Sequence, residues 1–142
     1  MGLSSILLVL SFGLLLHVSG GSGAPPEPAA VELDIFSGRP NPTWKLSGEE
    51  TSRFLGLLRE LPSTEPGWFD AGLGYRGFAV SFQDAQGRET RVQIFKGIVK
   101  RSVGEFTEYF VDKDRKLERW VLKTGDSRLS PELYEMAAKE LM

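Results

Sequence analysis

Phe78-Ala79-Val80-Ser81-Phe82-Gln83-Asp84-Ala85-Gln86-Gly87-Arg88-Glu89-Thr90-Arg91-Val92-Gln93-Ile94-Phe95 is the stretch whose reading decides the fold. Phe78, Val80 and Phe82 alternate with Ala79, Ser81 and Gln83, the two-residue period of a half-buried strand. Asp84 to Gly87 is a polar turn ending in glycine, and Thr90 to Phe95 returns as the partner strand, so the stretch predicts an antiparallel hairpin. Downstream, Gly97 and Gly104 bracket a short segment. Glu105 to Val111 and Lys116 to Lys123 then read as a second hairpin around Asp112-Lys113-Asp114-Arg115, because polar turn residues separate two apolar runs. Ser130, Pro131 and Glu132 mark a helix start, with Leu133, Met136, Ala137 and Leu141 as its buried face.

Upstream, Val31-Glu32-Leu33-Asp34-Ile35 alternates apolar and acidic residues and predicts a strand. Ser47 and Glu50 have the spacing of a capping box, in which each side chain satisfies a backbone amide of the other at a helix start. Phe54, Leu57, Leu58 and Leu61 follow three and four residues apart, and Pro62 ends that helix. The expected order is β-α-β-β-β-β-α. Short turns let consecutive strands pair directly while the helices bury their stripes on a shared face. The fold class is therefore α+β, a mostly antiparallel sheet of about five strands packed on one face by two helices.

The chain has 142 residues, no cysteine and a single histidine, His17. His17 lies in the nearly continuous apolar stretch from Ile6 to Val18, which is shorter than the ~20 residues of a membrane span and is followed by small residues. This reads as a signal peptide over residues 1–20, cleaved after Val18-Ser19-Gly20, and the expected product is secreted and extracellular with no stable membrane insertion. Residues 21–30 are rich in Gly, Pro, Ser and Ala and read as a flexible tail. Residues 31–142 form one α+β domain.

Without cysteine, and with its histidine in the leader, the domain loses most nucleophile, general-base and soft-metal chemistry, and an enzyme reading must use carboxylates, Lys, Ser, Tyr or Arg. The net charge of -2 with mixed signs gives no clustered basic surface for nucleic acid. Lys96, Lys100 and Arg101, the densest basic group, read as a solvated strand end. The glycines between Ser63 and Gly77 are followed by no Gly-Lys-Ser or Gly-Lys-Thr, which excludes a phosphate cradle. A calcium loop at Asp112 and Asp114 is opposed by Lys113 and Arg115. Neither a metal nor a cofactor is expected.

Two loops carry the distinctive residues. The connection from Ser63 to Gly77 contains Trp68, Phe69 and Tyr75 among its glycines, and such long aromatic loops either cap a core or bind. The segment Phe36-Ser37-Gly38-Arg39-Pro40-Asn41-Pro42-Thr43-Trp44 is stiffened by Pro40 and Pro42, while Gly38 permits backbone angles that other residues avoid. Arg39 offers a planar fork to a carboxylate, Asn41 a hydrogen-bonding amide and Trp44 a stacking surface. The internal alternative pairs Arg39 with Asp34, closes an Asx-type turn with Asn41 and places Trp44 in the core. Asn41-Pro42-Thr43 is no glycosylation acceptor, because its middle residue is proline.

With Asp34 and Ile35 before it, this segment resembles the signature of a group of small uncharacterised exported proteins: aspartate, an apolar residue, Phe-Ser-Gly-Arg-Pro-Asn-Pro, any residue, Trp. The resemblance implies a shared segment serving folding or binding, and no activity, ligand or catalytic residue comes with it. The expected function is that of a small binding or interaction module recognising an extracellular protein or glycan through the rigid loop, with Arg39, Asn41, Trp44, Trp68 and Tyr75 as binding residues. One alternative is a protease inhibitor presenting Arg39 to a specificity pocket. Another is a carboxylate-dependent hydrolase drawing on Asp34, Asp70 and Asp84, whose separation would set the mechanism. No catalytic residue is assigned.

Overall fold

The alternation from Phe78 to Phe95 closes as expected. Phe78 faces Ile94, Val80 faces Val92 and Phe82 faces Thr90 across an antiparallel pair. The structure is a computed structural model, and it describes residues 27–67 and 72–142. The signal peptide over residues 1–20, residues 21–26 of the tail, and Trp68 and Asp70 lie outside the described residues. The elements are β1 (Ala30–Leu33), β2 (Thr43–Lys45), α1 (Gly48–Arg59), β3 (Ser63–Thr64), β4 (Phe78–Gln83), β5 (Glu89–Phe95), β6 (Ile98–Val103), β7 (Phe106–Val111), a 3-10 turn (Lys113–Arg115), α2 (Lys116–Thr124) and α3 (Pro131–Glu140). The strands form one antiparallel sheet in the order β2-β1-β4-β5-β6-β7-β3.

The α+β class holds, while the counts become seven strands and three helices among the described residues. The second hairpin joins β6 to β7 around Gly104 and Glu105, not Glu105–Val111 to Lys116–Lys123. The latter run is the helix α2, whose buried Leu117 and Val121 lie one turn apart. Its amides at Leu117 and Glu118 donate to Asp112 Oδ1 and Oδ2 at 2.8 and 3.0 Å. The cap thus stands on the far side of the 3-10 turn, outside the usual spacing. The tail also ends earlier than expected: Ala29 is fully buried, its amide donates to Thr51 Oγ1 at 3.1 Å, and Ala30 begins β1. Small side chains rated as linker by composition fit here beneath α1.

Register aligns Val31, Val80 and Val92 in one row, and Leu33, Phe78, Ile94 and Val99 in the next, all on one sheet face. These residues join Phe54 and Leu58 of α1, Leu117 and Val121 of α2, and Ala137 of α3 in a single buried cluster. Burial of this apolar area is the main stabilising term in a disulfide-free domain. The capping box forms as expected, with Glu50 N–H donating to Ser47 Oγ at 3.0 Å and Ser47 N–H to Glu50 Oε1 at 2.8 Å. The covered face runs from β1 to Val99 of β6. Toward β7 the next row, Phe82, Thr90, Val103 and Phe106, emerges until Phe106 is 62% exposed.

Candidate functional site

The signature loop links β1 to β2, which pair across it. Asn41 points inward: its Oδ1 accepts the backbone N–H groups of Ile35 at 3.1 Å and Phe36 at 2.8 Å, and its Nδ2 donates to Asp34 Oδ1 at 3.2 Å. One amide side chain therefore serves the loop as an Asx-type brace. Trp44 is 7% exposed, packs edge-on against Phe78 and donates from Nε1 to Thr124 Oγ1 at 3.0 Å. The internal alternative describes both residues, because buried backbone amides and a buried indole N–H each require an acceptor.

Arg39 does not pair with Asp34. That carboxylate is taken by Arg76, whose Nη2 lies 2.6 Å from Asp34 Oδ1 and also donates to the Phe36 carbonyl at 2.9 Å. Hydrogen bonding to Asp34 raises the pKa of the Arg76 guanidinium. Arg76 thus ties the first leg of the loop to the segment entering β4, where Asp34 N–H donates to the Gly77 carbonyl and Arg76 N–H to the Asp34 carbonyl. Composition gave no sign of this role, although flanking Gly74 and Gly77, both at positive φ, mark a sharply shaped backbone. At Gly77, with φ +83°, an added Cβ would lie 2.0 Å from the Ile94 carbonyl oxygen.

Between its braced legs the loop exposes Ser37, Gly38, Arg39 and Pro40. Gly38 turns the tip at φ +81°, and the Arg39 guanidinium lies 3.6 Å from the Phe36 ring centroid. This cation-π contact holds the guanidinium over the Phe36 ring. Arg39 makes no carboxylate pair among the described residues.

Tyr75 also points inward. Its ring packs against Phe78 and Phe95, and its hydroxyl donates to Glu118 Oε2 at 3.2 Å. Burial, reinforced by that carboxylate, pushes the phenol's pKa far up. Glu118, fully buried, also accepts the Lys96 amide at 2.8 Å and the Arg115 guanidinium at 2.6 Å. Sequence reading assigned none of this because Glu118 fell in an expected strand. The network has the partners a buried charge requires and is a structural knot at the N-terminal end of α2.

Of the acids that could serve hydrolysis, Asp34 and Asp84 are not brought together, and Asp70 lies outside the described residues. Asp34 follows β1 beside the start of β4, whereas Asp84 lies beyond the end of β4 and is held by Arg88 at 2.7 Å. Backbone hydrogen bonding from Arg88 lowers the Asp84 pKa. No cluster of three acidic ligands suited to a metal occurs among the described residues.

A cavity of about 730 Å³ opens between α1 and the β4–β5 hairpin. Leu55, Leu58, Phe82 and Val103 give it an apolar lining, and Arg59, Arg88 and Arg101 its cations. No helix among the described residues is long and apolar enough to cross a membrane. Comparison with family models, curated proteins and solved structures yields no match.

Proposed function

We propose that this protein is a secreted interaction module that recognises an extracellular protein or glycan through the Ser37-Gly38-Arg39-Pro40 tip. The observation that carries the reading is the division of the loop: Asn41 and Arg76 hold its legs, while Arg39 stands exposed and, among the described residues, unpaired with acid. A tip held in place before contact loses little conformational freedom on binding, so a larger share of the contact energy appears as affinity. Arginine presents a planar donor fork suited to a carboxylate on the partner. Recognition of this kind involves no chemical step.

The test is a panel of extracellular proteins and a glycan array probed with the wild-type protein, Arg39→Ala and Lys139→Gln, the last an exposed change on α3. A ligand whose affinity falls about tenfold or more with Arg39→Ala alone supports the reading. Binding that is indifferent to Arg39, or no binding across the panel, contradicts it. The same exposed arginine between Gly38 and Pro40 favours a second reading, insertion into the acidic specificity pocket of a trypsin-like protease. Titration of trypsin with excess protein decides that version, and unchanged proteolysis eliminates it.

A further inference from the structure

On the helix-facing side of the sheet one central row stays apolar through Val99 and Phe110, while the row of Val31, Val80 and Val92 breaks at β6. Register sets Arg101 beside Val92 and Glu108 beside Arg101, which places two charged side chains on the core-facing side. Arg101 is therefore not a solvated strand end; Lys96, exposed at the end of β5, fits that description, and Lys100 lies half-buried on the opposite face of β6. Charges at such positions are costly unless paired or partly hydrated. Arg101 Nη2 and Glu108 Oε2 are 2.9 Å apart, with side chains 37% and 35% exposed. Even so, Arg101 Nε and Glu108 Oε2 are buried without an aligned hydrogen bond. The contact is thus an ion pair in poor hydrogen-bond geometry, and Arg101 stands at the cavity with a carboxylate already beside it.

The cavity's other cations differ in their state. Arg88 is neutralised by Asp84. Arg59, exposed at the end of α1, donates only to the Leu55 carbonyl, at 3.3 Å, and has no carboxylate partner among the described residues. Of the three lining arginines, Arg88 is thus matched by Asp84 and Arg101 by Glu108, which leaves Arg59 as the cation without a paired carboxylate among the described residues. The same cavity is lined by the apolar side chains of Leu55, Leu58, Phe82 and Val103, and Val103 pairs with the exposed Phe106. The space is within the range of small-molecule sites, which combine apolar walls with a few convergent polar groups.

We propose that this cavity binds a single-chain anionic amphiphile, an acyl carboxylate, with its chain along Leu55, Leu58, Phe82 and Val103 and its head group on Arg59. The carboxylate supplies the charged acceptor that Arg59 lacks, and the chain covers the apolar lining of the cavity. This site is separate from the Arg39 tip and stands or falls independently of it.

The experiment is calorimetric titration of the purified protein with dodecanoate below its micelle concentration, with dodecanol, acetate and an acidic decapeptide in parallel. The expected result is saturable one-to-one binding of dodecanoate, with dodecanol and acetate about tenfold weaker or less. Arg59→Gln, an exposed change that leaves the core intact, weakens dodecanoate by about tenfold, while Lys139→Gln has no effect. Chemical-shift changes on titration map to Leu55, Phe82 and Val103. Dodecanol binding as tightly as dodecanoate, absence of saturation, indifference to Arg59→Gln, or tighter binding of the decapeptide would each overturn the proposal.

Discussion

Replacing Asn41 with alanine removes one acceptor from two backbone donors at once. The Ile35 and Phe36 amides, now bonded to Oδ1 at 3.1 and 2.8 Å, lose their partner in a half-buried setting. Each lost hydrogen bond costs about 1 kcal/mol, and a donor left without water costs more, so the expected total is about 2 to 3 kcal/mol. For a domain of this size that corresponds to a fall of about 8 to 12 °C in Tm. Arg39→Ala removes only an exposed contact with Phe36, and its expected effect is within about 1 kcal/mol. Asn41→Asp separates the contributions further. It keeps both acceptor bonds but sets a third carboxylate against Glu32 and Asp34, which Nδ2 now approaches at 3.4 and 3.2 Å. Its deficit relative to wild type is therefore expected to shrink as the pH falls through the carboxylate range. Thermal unfolding followed by circular dichroism reads all three variants. An Asn41→Ala protein that melts with the wild type would refute the brace, as would equal losses in Asn41→Ala and Arg39→Ala.

Three further outcomes follow from the same contacts. Asp112→Ala leaves the Leu117 and Glu118 amides without their buried acceptor and is expected to cost about 2 to 4 kcal/mol, read from the denaturant midpoint. The raised pKa of Tyr75 means that the folded state favours the neutral phenol. Stability is then full below the ordinary value of 10.0 and falls as the pH rises above it; Tyr75→Phe is expected to flatten that alkaline decline in unfolding measured between pH 8 and 11. Gly77→Ala combines a positive φ with a Cβ 2.0 Å from the Ile94 oxygen; loss of soluble, folded protein is expected, checked by expression yield and far-ultraviolet dichroism.

What was legible in the sequence had local causes. The hairpin from Phe78 to Phe95 alternates strictly, and the helix after Ser47 carries both its cap and its stripe in the expected spacing. The helix Lys116–Thr124 was misread because its capping carboxylate, Asp112, lies before an intervening turn in which Asp114 and Arg115 adopt positive φ. No short spacing rule encodes that geometry. The strand Thr43–Lys45 was hidden by the prolines before it, and Ser63–Thr64 is too short to show a period. Within the signature, the letters offered both an internal and an external use, and the partners that distinguish them are distant in sequence: Arg76 for Asp34, and Thr124 for Trp44. The cavity was invisible for the same reason. Its charged pair falls on the core-facing side only once β6 and β7 are in register.

Amide hydrogen exchange of the wild-type protein, resolved by residue across the signature, tests the central claim of a braced frame carrying an exposed tip. The account predicts slow exchange at Ile35 and Phe36, approaching that of the central strands, and fast exchange at Ser37, Gly38 and Arg39. Exchange at Ile35 and Phe36 as fast as at the tip would contradict it, because the loop would then present Arg39 on no fixed frame.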